Sequence, residues 1–298
     1  MSPAEEPNVN EWIDGQWDGY TPDQLLDVLL AQPVWAEGDG LTQAEELLYE
    51  ALEGVWDRVL TLSSAPEPRA REVAAFLLSQ CALFPVDRFR PEACRTRLLE
   101  MVAAEQDTQV LATAVHAICE YVIEAGDPQV CELLLPHVTN PDPDVRYAVA
   151  EALGLLEDPA VLAALIQFLA DEDEAVRVCA SFSLAFLTET DTPPIRQALV
   201  AALLDDVDDV VDNAMIGLIE RGDPRAIPQL SVYLAGDDRE FLQEWYDLRN
   251  ALYGLFERWE RETPDPAWLP ALLIMRNRSL WGPKVIRAAI ARCRSATP

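Results

Sequence analysis

Between Asn140 and Phe186 one structural unit is written almost twice, and no other feature constrains the fold of this chain so tightly. Val145-Arg146 returns as Val176-Arg177, 31 residues on. Behind each pair the apolar positions fall at helical spacing: Val145, Val149 and Leu153, then Val176, Ala180 and Leu184. Between the copies, Pro159 to Ala170 predicts a second helix, with Asp158 as its N-cap and Pro159 at the first helical position, where a missing N–H costs nothing. The unit is therefore a helical hairpin. A two-helix self-match at a period of roughly 30 to 40 residues marks an all-α architecture of stacked antiparallel hairpins, an α-solenoid.

The same spacing extends in both directions. Ala70-Arg71 is followed by Ala74 and Leu78, Val110-Leu111 by Ala114 and Ile118, and Val210-Val211 by Ala214 and Leu218. Asp-Pro pairs provide a second, independent punctuation: Asp127-Pro128, Asp158-Pro159 and Asp223-Pro224 each predict a helix start, with Asp191-Thr192-Pro193 as a looser version. On these signals residues 67–237 form the repeats. Residues 1–66 are expected to cap one end, with an irregular Trp12, Trp17 and Tyr20 segment, a helix capped by Thr21, and a helix over Thr42–Leu62. Residues 238–298 are expected to cap the other, beginning with one long helix from Arg239 to Glu262 that carries Phe241, Trp245, Leu248, Leu252, Leu255, Phe256 and Trp259.

The acidic turn, the Val-Arg pair, the small residue four positions on and the restarting Asp-Pro together resemble the HEAT-repeat family, in the short form first noted in phycobilisome lyases. The resemblance implies that the Val-Arg helix lines an inner concave face. Side chains two and six places beyond the valine then point into the groove: Glu72, Ala112, Tyr147, Val178 and Asp212 in one row, Phe76, His116, Glu151, Phe182 and Ile216 in the other. It also implies that Arg146 and Arg177 neutralise some acids of neighbouring turns, as the family's Asp-Arg ladder does.

Composition narrows the function. The net charge is −30, from 52 acidic against 22 basic residues, a field that repels phosphate backbones and favours a basic partner. The last 33 residues hold no acid, so the preceding chain sums to −36. The opening MSPAEEPNVNEW has no apolar run, and nowhere do roughly 18 apolar residues follow one another, so a soluble cytoplasmic protein that does not enter a membrane is expected. Six scattered cysteines without a CxxC pair read as small buried hydrophobes.

Catalytic signals are poor. The chain contains two histidines, His116 and His137, and no HExxH, P-loop, GxSxG or EF-hand loop. Neither catalytic, metal nor cofactor residues are expected. The HEAT-like deoxyhypusine hydroxylases use repeated His-Glu pairs, which are absent here, and the DNA glycosylases of this fold need a basic groove.

Two candidate surfaces for a protein partner remain. One is the groove, with Phe76, His116, Tyr147, Glu151, Phe182 and Asp212, where aromatic anchors sit among polar groups as they do in protein interfaces. The other is an acidic edge built from stacked hairpin turns, above all Asp171, Glu172, Asp173, Glu174, Asp205, Asp206, Asp208 and Asp209. Helix capping needs one acid per turn and not four, so the excess suggests steering of a cationic partner. The leading expectation is a non-catalytic scaffold or adaptor, of the immunity-protein, chaperone or regulator type in a bacterium. A bilin-lyase-like enzyme or chromophore handler, and a DNA-mimicking inhibitor of a nucleic-acid-binding protein, are the alternatives.

Overall fold

The computed structural model describes residues 19–31, 52–83, 90–121, 127–235, 246–278 and 282–296, and among these every regular element is helical. Trp12, Trp17, Asp237, Asp238, Phe241 and Trp245 lie outside the described residues, and the helix expected over Thr42–Leu62 is described from Leu52 onward. The chain separates into two compact units, Met1–Ala152 and Leu153–Pro298.

The first unit contains α1 (Pro22–Ala31), α2 (Leu52–Leu62), α3 (Pro68–Leu83), α4 (Pro91–Ala104), α5 (Thr108–Cys119), α6 (Pro128–Leu134) and most of α7 (Pro143–Gly154). Each hairpin packs its second helix on the second helix of the next, as α3 packs on α5, while α4 packs on α6 in the other layer. The Val-Arg spacing faces the core throughout: Ala74, Leu78, Ala114, Ile118, Val145 and Val149 are fully buried. Helix α1 opens with a capping box, in which Thr21 Oγ1 accepts from the Gln24 N–H (3.3 Å) and Gln24 Oε1 from the Thr21 N–H (2.8 Å). Tyr121, buried at the end of α5, donates its hydroxyl to the Leu78 carbonyl.

The second unit follows the same scheme through α8 (Pro159–Phe168), α9 (Glu174–Phe182), α10 (Pro193–Ala202), α11 (Asp208–Glu220), α12 (Ile227–Ala235), α13 (Tyr246–Arg258), α14 (Leu269–Arg278) and α15 (Pro283–Ser295). Helices α9, α11 and α13 pack in one layer, and α8, α10, α12 and α14 in the other. The Asp-Pro punctuation works as expected, because Asp127, Asp158, Asp223 and Asp265 each cap the helix that their proline begins. Thr192 makes no such bond. The helix expected to reach Glu262 ends at Arg258, where Trp259 turns inward and meets Trp268 edge-on at 5.8 Å between ring centroids.

One feature of this unit departs from the plain repeat. Helix α9 continues into a π-helical turn, Ser183–Leu187, closed by a bond from the Thr188 N–H to the Ser183 carbonyl (3.0 Å), five residues back. A widened turn is costly alone and persists where its surroundings fix it. Here two glycines make room for it. A Cβ on Gly154 would lie 2.2 Å from Ser183 Oγ, and one on Gly217 would lie 3.0 Å from Ala185 Cα. Buried Arg221 then gathers the carbonyls of Leu184 (2.8 Å), Thr188 (2.9 Å) and Gly217 (3.0 Å). Burial draws this guanidinium below its ordinary pKa, and the carbonyl dipoles stand in for a carboxylate partner.

Gly217→Ala should lower unfolding stability by about 1–3 kcal/mol, since the obstructing atom is backbone. Gly254→Ala, in helix α13 with nothing within 4 Å, should leave stability unchanged or raise it by up to about 1 kcal/mol. Urea unfolding of the two variants checks the contrast.

Candidate interaction surface

The hairpin corners are built around arginine. In the first unit, Arg71 on α3 donates Nη1 to the carbonyls of Ala65 and Pro66 (both 2.9 Å) in its own corner. Its Nε and Nη2 hold both oxygens of Glu105 (2.7 and 2.8 Å) in the next corner. Glu105 in turn accepts from the N–H groups of Gln106 and Asp107 (2.8 and 2.9 Å). Burial alone would raise the Glu105 pKa. The guanidinium and the two N–H groups more than offset this and hold its carboxyl below the usual range.

The second unit repeats the joint. Arg177 on α9 donates to the carbonyls of Asp171 (3.1 Å) and Glu172 (3.4 Å), grips both oxygens of Asp205 (2.9 and 3.0 Å), and reaches Asp206 (3.0 Å). Two corners thus meet at one guanidinium. Several of their acids are used internally: Asp171 accepts from the Asp173 N–H, Asp173 caps α9 through Ala175 and Val176, and Asp205 accepts from the Val207 N–H. Asp205 is correspondingly shielded, with 11% of its side chain exposed, whereas Asp206 is 92% exposed. Glu172, Glu174, Asp208 and Asp209 also face solvent.

At the opposite ends of the hairpins lies a second set of arginine joints that the sequence pattern did not reveal. Arg95 on α4 pairs with Asp127, the cap of α6. Arg196 on α10 holds Asp191 (2.6 Å) in its own corner and reaches the Arg221 carbonyl (2.7 Å) and Asp223 (3.4 Å) in the next. The available signal was an arginine placed one to four residues after the helix-opening proline, in Pro91–Arg95, Pro193–Arg196 and Pro224–Arg225.

The proposed groove residues divide by unit. In the first, Phe76 on α3 is half-buried and Tyr147 on α7 is 40% exposed. His116 on α5 meets Glu151 on α7, Nδ1 to Oε2, at 2.6 Å, so the row of positions six beyond the valine does bring side chains of successive repeats together. The hydrogen bond to Glu151 raises the His116 pKa against the opposing effect of burial. In the second unit, Phe182 is 46% exposed and stacks obliquely on Phe186 at 4.9 Å between centroids. Ile216 is buried. Asp212 accepts a hydrogen bond from the Tyr233 hydroxyl; burial raises both groups' pKa values, a shift that the hydrogen bond opposes at Asp212 and reinforces at Tyr233.

Comparison with known proteins agrees with this architecture. Residues 95–185 match the profile of HEAT repeats, and the stacked hairpins give the chain an α-solenoid fold. Protein YibA of Escherichia coli K12 is 26% identical over 166 residues, a match spanning 54% of this chain and 56% of YibA, so the alignment covers about half the length of that relative. The crystal structure of YibA superposes with a TM-score of 0.63 at 22% identity, covering 92% of this chain and 96% of YibA. Kap121p superposes at a TM-score of 0.51 and 16% identity, covering 85% of this chain and 29% of Kap121p. At these identities the likeness is one of fold. No described helix is long and apolar enough to cross a membrane.

The His116–Glu151 contact yields a pH-dependent expectation. A folded pKa above the unfolded value of about 6.5 means that the pair's stabilisation is fully present below that pH and is lost as pH rises through the folded value. Glu151→Gln should therefore lower the melting temperature relative to the unmodified chain near pH 5.5, and the gap should close by about pH 8.5. Melting curves across that range measure it.

Proposed function

We propose that the chain is a non-catalytic protein-binding solenoid, of the adaptor, chaperone or immunity type, and that its partner is a basic protein. The carrying observation is the Arg177 joint, which draws the 171–174 and 205–209 corners together around a single guanidinium and leaves Glu172, Glu174, Asp206, Asp208 and Asp209 directed at solvent. Carboxylates brought this close add their fields, and one arginine does not neutralise them. Asp171, Asp173 and Asp205 accept backbone N–H groups as caps and turns, while Glu172, Glu174, Asp206, Asp208 and Asp209 keep their carboxylates exposed, more acids than capping needs, which supports a docking function for them. The half-exposed aromatics Phe76, Tyr147 and Phe182, with His116, Glu151 and Asp212 near them in sequence register, supply anchors of the kind found in protein interfaces. Residues 67–237 carry these surfaces in this reading, and the flanking segments cap the repeats.

A partner captured at low salt from the native source, then purified, tests the proposal. Its association rate should fall at least about tenfold between roughly 0.05 and 0.5 M salt, with a much smaller change in dissociation. Asp208→Lys with Asp209→Lys should reproduce that slowing at low salt. A rate indifferent to both salt and charge reversal would remove the basis for a cationic partner.

A further inference from the structure

Beyond the acidic corner, the second unit displays a strip of large apolar side chains: Leu155 (39% exposed), Phe182 (46%), Leu187 (41%) and the half-buried Phe186. Their grouping depends on the π-helical turn. In an α-helix, at about 100° per residue, Leu187 would project roughly 140° away from Phe182. Bonding five residues back brings the fifth residue nearly over the first, so Leu187 and Phe186 flank the direction taken by Phe182. Leu187 also lies across from the end of α7, 3.8 Å from the site of a Cβ on Gly154, and Leu155 follows that glycine directly. Two glycines and a buried arginine thus maintain an unusual backbone turn whose result is an exposed apolar face.

Immediately beyond this face stand two carboxylates. Glu157 follows Leu155 by two residues and Glu189 follows Leu187 by two. Glu157 accepts from the N–H of Glu189 (2.5 Å) and of Thr190 (3.3 Å), which joins the two sites, yet neither carboxylate forms an ion pair with any described residue. The corner acids, by contrast, have Arg71 or Arg177 beside them.

We propose that Leu155, Phe182, Phe186 and Leu187 form an apolar docking strip for an amphipathic segment of the partner, one that sets leucine-like side chains on the strip and a lysine or arginine against Glu157 and Glu189. This rests on the protein-binding reading above and deepens it by locating an anchor separate from the acidic corner. Charge complementarity selects that occupant: the apolar surface ends in two acids without an ion-pair partner among the described residues, within a chain of net charge −30.

Three labelled peptides of equal length test it by fluorescence anisotropy on the full chain: a leucine/lysine amphipathic helix, a serine/lysine peptide of the same charge, and a leucine/glutamate helix. The leucine/lysine peptide should bind at least about tenfold more tightly than either of the others. Phe182→Ser with Leu187→Ser should abolish that preference, Phe182→Leu with Leu187→Met should retain it, and Val232→Ser, an exposed residue on α12, should leave it unchanged. Circular dichroism and melting curves verify that each variant is folded. Equal binding of the leucine/lysine and serine/lysine peptides, or a preference that survives the double serine variant, overturns the strip. Loss of salt dependence with the leucine preference intact would instead refute the acidic corner and support the strip.

Discussion

A guanidinium that serves two corners at once is the interaction on which the rest of the arrangement depends. Arg71 and Arg177 each satisfy carbonyls at the end of their own hairpin turn and grip the first carboxylate of the following one. Apolar faces such as Val145, Val149 and Leu153 drive hairpins to stack, but burial is non-directional and tolerates sliding. A planar fork with five fixed donors does not. Because the carbonyls are backbone and the carboxylate is also tied to backbone N–H groups, each joint fixes one corner against the next, and the charges are shielded enough to make a misplaced partner expensive.

The same joint shapes the surface. Beyond Asp205, which Arg177 grips, Asp206 meets the same guanidinium while remaining 92% exposed, and Asp208 and Asp209 stand exposed in the first turn of α11. Arginine is used internally elsewhere too: Arg95, Arg196 and Arg221 all hold corners or helix ends. In these corners the arginines are turned toward the framework while several carboxylates face outward.

The sequence made the framework legible because the framework is periodic. Val-Arg pairs, small residues four positions on and Asp-Pro restarts all follow from local chemistry that repeats with the hairpin, and their burial and capping are found where the spacing placed them. What repetition could not convey was any contact that exists only in three dimensions. The π-helical turn left a trace, since the Pro159 and Pro193 restarts that bracket it stand 34 residues apart while the restarts before and after, Pro128 to Pro159 and Pro193 to Pro224, stand 31 apart, but the spacing alone does not say where the extra residues go. Nothing in the local sequence around Arg221 marks it, and its role appears only when three carbonyls from the preceding repeat converge on it. Among the proposed edge residues, Asp205 and Asp173 lie at the hairpin corners with oxygens turned inward to the backbone and, for Asp205, to Arg177.

Arginine joints, rather than apolar contact alone, fix neighbouring corners in place. A double-mutant cycle of Arg177→Met and Asp205→Asn, read by urea unfolding, measures it most directly, with Arg71→Met and Glu105→Gln as the counterpart in the first unit. Each pair should show a coupling energy of about 1–3 kcal/mol. Additive effects, with no coupling at either joint, would contradict it.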